Sequence, residues 1–176
     1  MNVPADDAPN LLGALSLLIE GTVRAAVTVE AGAAGSLPEA LVVVKDQPGA
    51  TAEWLGHVLG LSQPGTAHLV RRLVQSGWIE RRPGSDARSY RLHLTAAGLR
   101  IAEQVLRARR QVLTELLTPL SAEQRRQLTD IATALLRPQP ADERCLARLC
   151  RLCDRSACTE CPVYAGYTDR GPDNSG

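Results

Sequence analysis

The sequence contains no Phe, and Trp and Tyr bring its aromatic content to only 3%. A protein that stacks single-stranded bases on its rings needs more than that, so single-strand binding is not expected. Packing must instead fall to Leu, Val and Ala, which suits helices. A general charge bias is also missing: 20 Lys and Arg face 19 Asp and Glu, for a net charge of +1. This argues against a basic coat over the whole surface, and any DNA contact has to rest on a local patch. The apolar N-terminal run is interrupted by Glu20, Arg24 and Glu30, too soon for a membrane span. The start, Met1 to Asp7, lacks the positive region of a secretory leader. The chain is therefore expected in the cytosol, away from membranes. Its three His (57, 68 and 93) are scattered. There is no Ser-His-Asp arrangement, phosphate-binding Gly loop or carboxylate-pair motif, so an enzyme is not expected.

With 176 residues, 44% of them hydrophobic, the chain can bury a sizeable core in one ordinary domain. Its most informative stretch runs from Thr51 to Thr95. Thr51 can cap a helix whose apolar residues Trp54, Leu55, Val58 and Leu59 recur at helical spacing, and Gly60 ends it. Ser62 is a second cap, with Pro64 in the first turn, where a missing N–H costs nothing. Leu69, Val70 and Leu73 form the buried stripe of this second helix, while Gln63, Thr66, His68, Arg71 and Arg72 are expected on its exposed face. Two such helices across a tight turn read as a helix-turn-helix, which sets the start of its second helix in the major groove. Ser62, Gln63, Pro64, Gly65, Thr66 and His68 are the candidates there. A solvated helix face is the plainer alternative.

The adjoining segment favours the DNA reading. Trp78 to Arg82 reads as a strand, Pro83 to Asp86 as a turn, and Arg88 to Leu94 as the return strand, with Tyr90, Leu92 and Leu94 alternating inward. From His68 to Arg91 six arginines (71, 72, 81, 82, 88 and 91) stand against Glu80 and Asp86, a local excess of +4. Phosphates are attracted to such a surface through counterion release, and an arginine on a wing can enter a narrow minor groove.

Gly60-Leu-Ser-Gln-Pro64, Leu69-Val-Arg-Arg-Leu73, Gly77-Trp-Ile-Glu-Arg-Arg82, Asp86-Ala-Arg88 and Leu94-Thr-Ala-Ala-Gly98 together resemble the winged-helix core of MarR-type transcriptional regulators, over roughly residues 10 to 137. The resemblance implies a mainly α fold with a small β wing (α+β), and a homodimer formed through the N- and C-terminal helices. It implies binding to a palindromic operator in double-stranded DNA, usually as a repressor released by a ligand or by oxidation. It also implies that Arg88 is the wing residue in the minor groove, held by Asp86, with Arg82 nearby. His68, Ala67 and Gly65 depart from the residues common in the family, so the operator sequence does not transfer.

Around this core, residues 10 to 31 form an amphipathic helix with a broad apolar face, Leu11, Leu12, Leu15, Leu18, Ile19, Val23, Ala26 and Val27. A short helix spans Pro38 to Asp46. Thr95 caps a long helix to about Leu117, and Ser121 to Gln124 is a capping box opening another to about Leu136. The expected domain, residues 8–137, ends at Pro138-Gln-Pro140.

All five cysteines lie beyond that boundary, as Cys145-x4-Cys150-x2-Cys153-x4-Cys158-x2-Cys161-Pro162. Residues 138–163 thus read as a cysteine-rich extension and 164–176 as a disordered tail. Cys150, Cys153, Cys158 and Cys161 are the symmetric metal-ligand set, and Cys145 is an alternate ligand or a resolving thiol. Four thiolates on one short loop ended by Cys-Pro suit a 4Fe-4S iron-sulfur cluster. A structural zinc site uses the same donors. A bare thiol switch needs no metal, and structural disulfides do not suit a reducing cytosol. Arg144, Arg148, Arg151 and Arg155 flank the set and are placed to stabilise thiolates. A small organic effector in the dimer crevice is the alternative signal. An electron carrier or thiol oxidoreductase on the same scaffold, or a purely protein-binding winged helix, are the rivals of another class.

Overall fold

The computed structural model describes residues 7–84, 90–158 and 160–170. Among them the chain forms α1 (Ala8–Ala31), α2 (Leu37–Asp46), α3 (Ala52–Leu59), α4 (Gln63–Gln75), β1 (Ile79–Pro83), β2 (Tyr90–Leu94), α5 (Ala96–Leu116), α6 (Ala122–Leu136), α7 (Glu143–Cys150) and α8 (Pro162–Asp169). This is the mainly helical winged architecture expected from the sequence.

Local signals set the boundaries. The side chains of Thr51, Ser62 and Thr95 each accept the third backbone N–H of the helix they cap, from Trp54, Gly65 and Gly98. Ser121 and Gln124 satisfy each other's backbone N–H groups as a capping box. Antiparallel β1 and β2 pair from Ile79 with Leu94 to Pro83 with Tyr90. A third short segment joins them: Gly49 N–H donates to the Leu92 carbonyl at 2.9 Å, and Leu92 N–H donates to Ala50 at 2.9 Å. The wing is thereby tied to the connection between α2 and α3.

Packing centres on α2, whose Leu37, Pro38, Ala40, Leu41, Val42, Val43 and Val44 are all buried. One cluster joins Leu41 and Val44 to Leu55, Val58, Leu69, Val70, Leu73, Ile79 and Leu92. The other joins Val42 to Val23, Val27 and Ala31 of α1 and to Val105 and Leu106 of α5. So α2 separates α3, α4 and the wing from the long α1 and α5 and packs against both.

By length and composition α1 could cross a bilayer, although its interrupting charges argue otherwise. Its C-terminal half is instead packed on α5. The N-terminal half leaves Leu11, Leu12, Leu15, Leu17 and Leu18 exposed, as α6 does Leu128, Ile131 and Leu135.

Two expectations require correction. Tyr90 does not point inward but is 57% exposed, with the Arg81 guanidinium 5.8 Å from its ring centre. Alternation sets the face but not what lies beneath it: Leu92 and Leu94, at the base of the wing, have a core to meet, and Tyr90, further out, does not. Nor is the segment after Tyr164 disordered throughout. Residues 162–169 form α8, with Val163 buried against Leu146 and Cys150 and Asp169 accepting from Arg137 at 2.6 and 3.2 Å. Its polar composition concealed a helix held by tertiary contacts. Residues 171–176 lie outside the described set.

The Leu-Thr-x-x-Gly run has a steric cause. Thr95 donates to the Gly77 carbonyl at 2.6 Å, and this brings α5 so close that a Cβ on Gly98 would lie 1.9 Å from the Trp78 carbonyl oxygen. Gly98→Ala should therefore cost about 2–3 kcal/mol, read as a loss of about 5–10 °C in thermal unfolding followed by circular dichroism. An unchanged Tm would show that the close approach is not needed.

Candidate nucleic-acid interface and cysteine module

In α4 the buried stripe begins one turn earlier than expected. Thr66 is 5% exposed, its hydroxyl donates to the Ser62 carbonyl at 3.0 Å, and it packs so tightly on α3 that a Cβ on Gly56 would meet its Oγ1 at 2.4 Å. It cannot reach a base edge. Residues 66, 69, 70 and 73 follow the three-and-four spacing of one face, a signal that was legible but was overridden by the hydroxyl's polarity. The same spacing turns Ala67 outward, and this exposed position was overlooked. Ser62 is committed to its cap and Gly65 is half-buried, while Gln63, Pro64, Ala67, His68, Arg71 and Arg72 are exposed. These six residues form the outer face of α4.

On the wing, Arg82 is exposed but paired with Glu80 at 2.6 Å, which reduces the free charge it offers. Arg91 instead donates to the Gly49 carbonyl at 3.4 Å and so braces the base of the wing. Asp86 and Arg88 lie outside the described residues.

The cysteine module lies against the winged helix. Asp142 caps α7 by accepting from Cys145 N–H at 2.7 Å. Cys150 is the last residue of α7, and Cys153 N–H donates back to its carbonyl at 2.8 Å. A single 3₁₀ turn, Arg155–Ala157, leads to Cys158, and Cys161 precedes α8, with Pro162 in the first turn. Both Cys-x2-Cys spacings are therefore held at helix ends. The Cys150 and Cys153 thiols are near enough to perturb each other's ionisation, as are those of Cys158 and Cys161. Cys145 is turned away, its thiol donating to the Gln139 carbonyl at 3.4 Å.

The first pair is electrically unequal. The hydrogen bond from Cys150 draws the Cys153 thiol down to about 6, with burial opposing and Arg109 and Arg155 assisting. Cys150 is pushed up by that same hydrogen bond and by burial. Burial, then the hydrogen bond with Cys161, raises Cys158. The sequence pointed to four flanking arginines, but only Arg155 acts on these thiols, and the other cation comes from α5 as Arg109. Arg144 is exposed, whereas Arg148 donates to the His57 carbonyl at 3.0 Å and Arg151 to Glu39 at 3.3 Å.

As a donor set, four sulfurs on two Cys-x2-Cys pairs with cations beside them suit a thiolate-ligated group of net negative charge. Among the described residues no three His, Cys, Asp or Glu side chains are gathered as a metal-holding group; the thiols stand as two pairs. A cavity of about 790 Å³ opens beside them, with Val23, Val27, Glu39, Arg109, Leu152 and Cys153 in its wall.

The fold defines a winged helix-turn-helix protein, the architecture of a class of DNA-binding regulators. The MarR family model matches residues 39–89. Solved structures agree along most of the chain. RV1404 from Mycobacterium tuberculosis is 21% identical with a TM-score of 0.66, the match covering 77% of this chain and 94% of the other. The MarR family transcription regulator SP03579 is 25% identical with a TM-score of 0.62, covering 77% and 94%. A mutant of Staphylococcus aureus MepR bound to an oligodeoxyribonucleotide is 20% identical with a TM-score of 0.56, covering 73% and 95%. No curated protein matched by sequence.

In the metal-free, reduced chain Cys153 should be the thiol that iodoacetamide labels first, with a rate that rises through about pH 6. Cys150→Ala removes the donor and should move this midpoint upward. Mass spectrometry of the labelled peptide reads both, and equal labelling of Cys153 and Cys158 at pH 7 would contradict the pairing.

Proposed function

We propose that the chain is a DNA-binding transcription regulator of the cytosol, acting as a repressor, that grips a palindromic operator as a homodimer. The observation carrying this reading is the outer face of α4, where Gln63, His68, Arg71 and Arg72 stand exposed beside an arginine-bearing wing. Side chains of this kind at the start of a recognition helix meet base edges and phosphates in the major groove. Arg88 is assigned to the minor groove, with Asp86 holding it. The dimer is assigned to the exposed leucines of α1 together with Leu128, Ile131 and Leu135 of α6, since apolar area of that extent is unfavourable in water. A two-fold pairing spaces the recognition helices one DNA turn apart, about 34–36 Å.

The second part of the proposal assigns Cys150, Cys153, Cys158 and Cys161 to an iron-sulfur cluster whose loss or oxidation changes DNA affinity. Its support is the donor set: two thiol pairs at helix ends, one thiol already drawn toward thiolate, and Arg109 and Arg155 to offset negative charge. When bound, such a group supplies sensitivity to oxidants and gases. A zinc ion on the same thiols would make the module structural. The signal would then be a small organic effector, for which the cavity beside Cys153 is the available space.

Gel shifts with duplex DNA from upstream of the chain's own coding region test the first part. The parent should shift it with strong salt dependence, and Arg88→Ala should weaken binding by about tenfold or more. No shift at low salt would favour a protein-binding winged helix. Anaerobic purification followed by a visible spectrum with iron, sulfide and zinc analysis tests the second. Broad visible absorption with matched iron and sulfide is the expected result, while a colourless protein with one zinc per chain would overturn it. Cys153→Ala should also abolish the oxidant response of DNA binding.

A further inference from the structure

We infer that Arg148 and Arg151 are positioning residues through which the cysteine module sets the helix-turn-helix within its own protomer. This rests on the regulatory reading above and assigns it a route. α7 lies against α3, the helix that supports α4. The Arg148 guanidinium donates to the His57 carbonyl at 3.0 Å across 91 residues of chain. His57 belongs to the last turn of α3, and its carbonyl also accepts the Gly60 N–H at 3.3 Å, so Arg148 joins the bonds that close the end of this helix. Arg151 reaches Glu39 of α2 at 3.3 Å and also donates to the Arg148 carbonyl at 2.8 Å, so the two arginines form one brace. Between them and the core, Ala147 packs against the cluster that contains Leu55 and Val58.

The brace matters because of what it holds. α3 has 8 residues, too few to be stable alone, and its Gly56 meets Thr66 of α4 in direct contact. A shift of α3 is therefore felt by the recognition helix. The brace also adjoins the thiols: Arg148 and Arg151 flank Cys150, and Cys153 N–H is bonded to the Cys150 carbonyl. Drawing the two thiol pairs onto one ligand pulls the end of α7, and Arg148 and Arg151 convey that pull to His57 and Glu39. The competing route runs from α8 to α6 through Arg137 and Asp169.

Hydrogen–deuterium exchange of the full chain separates the routes, comparing free thiols with thiols loaded with iron and sulfide, or with Zn²⁺ where no cluster forms. Loading should slow exchange over residues 52–59 and 63–75 by about threefold or more in the parent and in Arg137→Ala. In the variant combining Arg148→Ala with Arg151→Ala the slowing should be lost, although its metal content matches the parent's. Restoring a donor, by combining Arg148→Lys with Arg151→Ala, should recover part of it. A combined variant that keeps the parent's slowing, or slowing confined to 8–31 and 122–136, overturns the inference. Uptake of neither metal would defeat the cluster assignment alone. The inference is then read on the free-thiol chain, where the combined variant must speed exchange at 52–59 and leave 96–116 unchanged. No change at 52–59 overturns it.

Discussion

The structure depends on the burial of α2 on every side. Ten residues from Leu37 to Asp46 place seven buried side chains between the helix-turn-helix and the long α1 and α5. A helix so enclosed cannot tilt or slide without opening a gap on one face or a clash on the other, because interiors are close-packed. The recognition helix, the wing base and the long helices thus take their relative positions from one short element. The cysteine module is joined to the same element, since Arg151 binds Glu39 and Asp46 faces Cys153.

Around that centre the contacts that orient the DNA-reading surface are small and backbone-directed. Thr95 ties the start of α5 to Gly77, Leu92 exchanges hydrogen bonds with the segment before α3, and Trp78 lies directly on Gly98. At Gly98 the approach is so close that a larger residue would separate the two stretches of main chain. Together these contacts hold α4 and the wing as one unit.

The extension adds chemistry to this frame. Its two thiol pairs are held at helix ends, and hydrogen bonding makes one thiol of the first pair acidic at the expense of its neighbour. The module touches two different helices: α7 lies on α3, and α8 lies on α6.

By itself the sequence determined the elements: caps at Thr51, Ser62, Thr95 and Ser121, the apolar spacing between them, and the arginine-bearing hairpin are local signals, and each is found in the fold. It also placed every cysteine after Pro140. Tertiary structure alone decided what each face meets. Periodicity places Thr66 and Tyr90 on a face, but only the proximity of Gly56 buries the first and only the lack of a core beneath it exposes the second. The order of α8, the turning of Arg148 toward α3 and of Arg151 toward α2, and the approach of Arg109 to Cys153 involve partners 32 to 112 residues away or on another helix. Spacing along the chain carries no record of such pairings; they follow from how the helices pack.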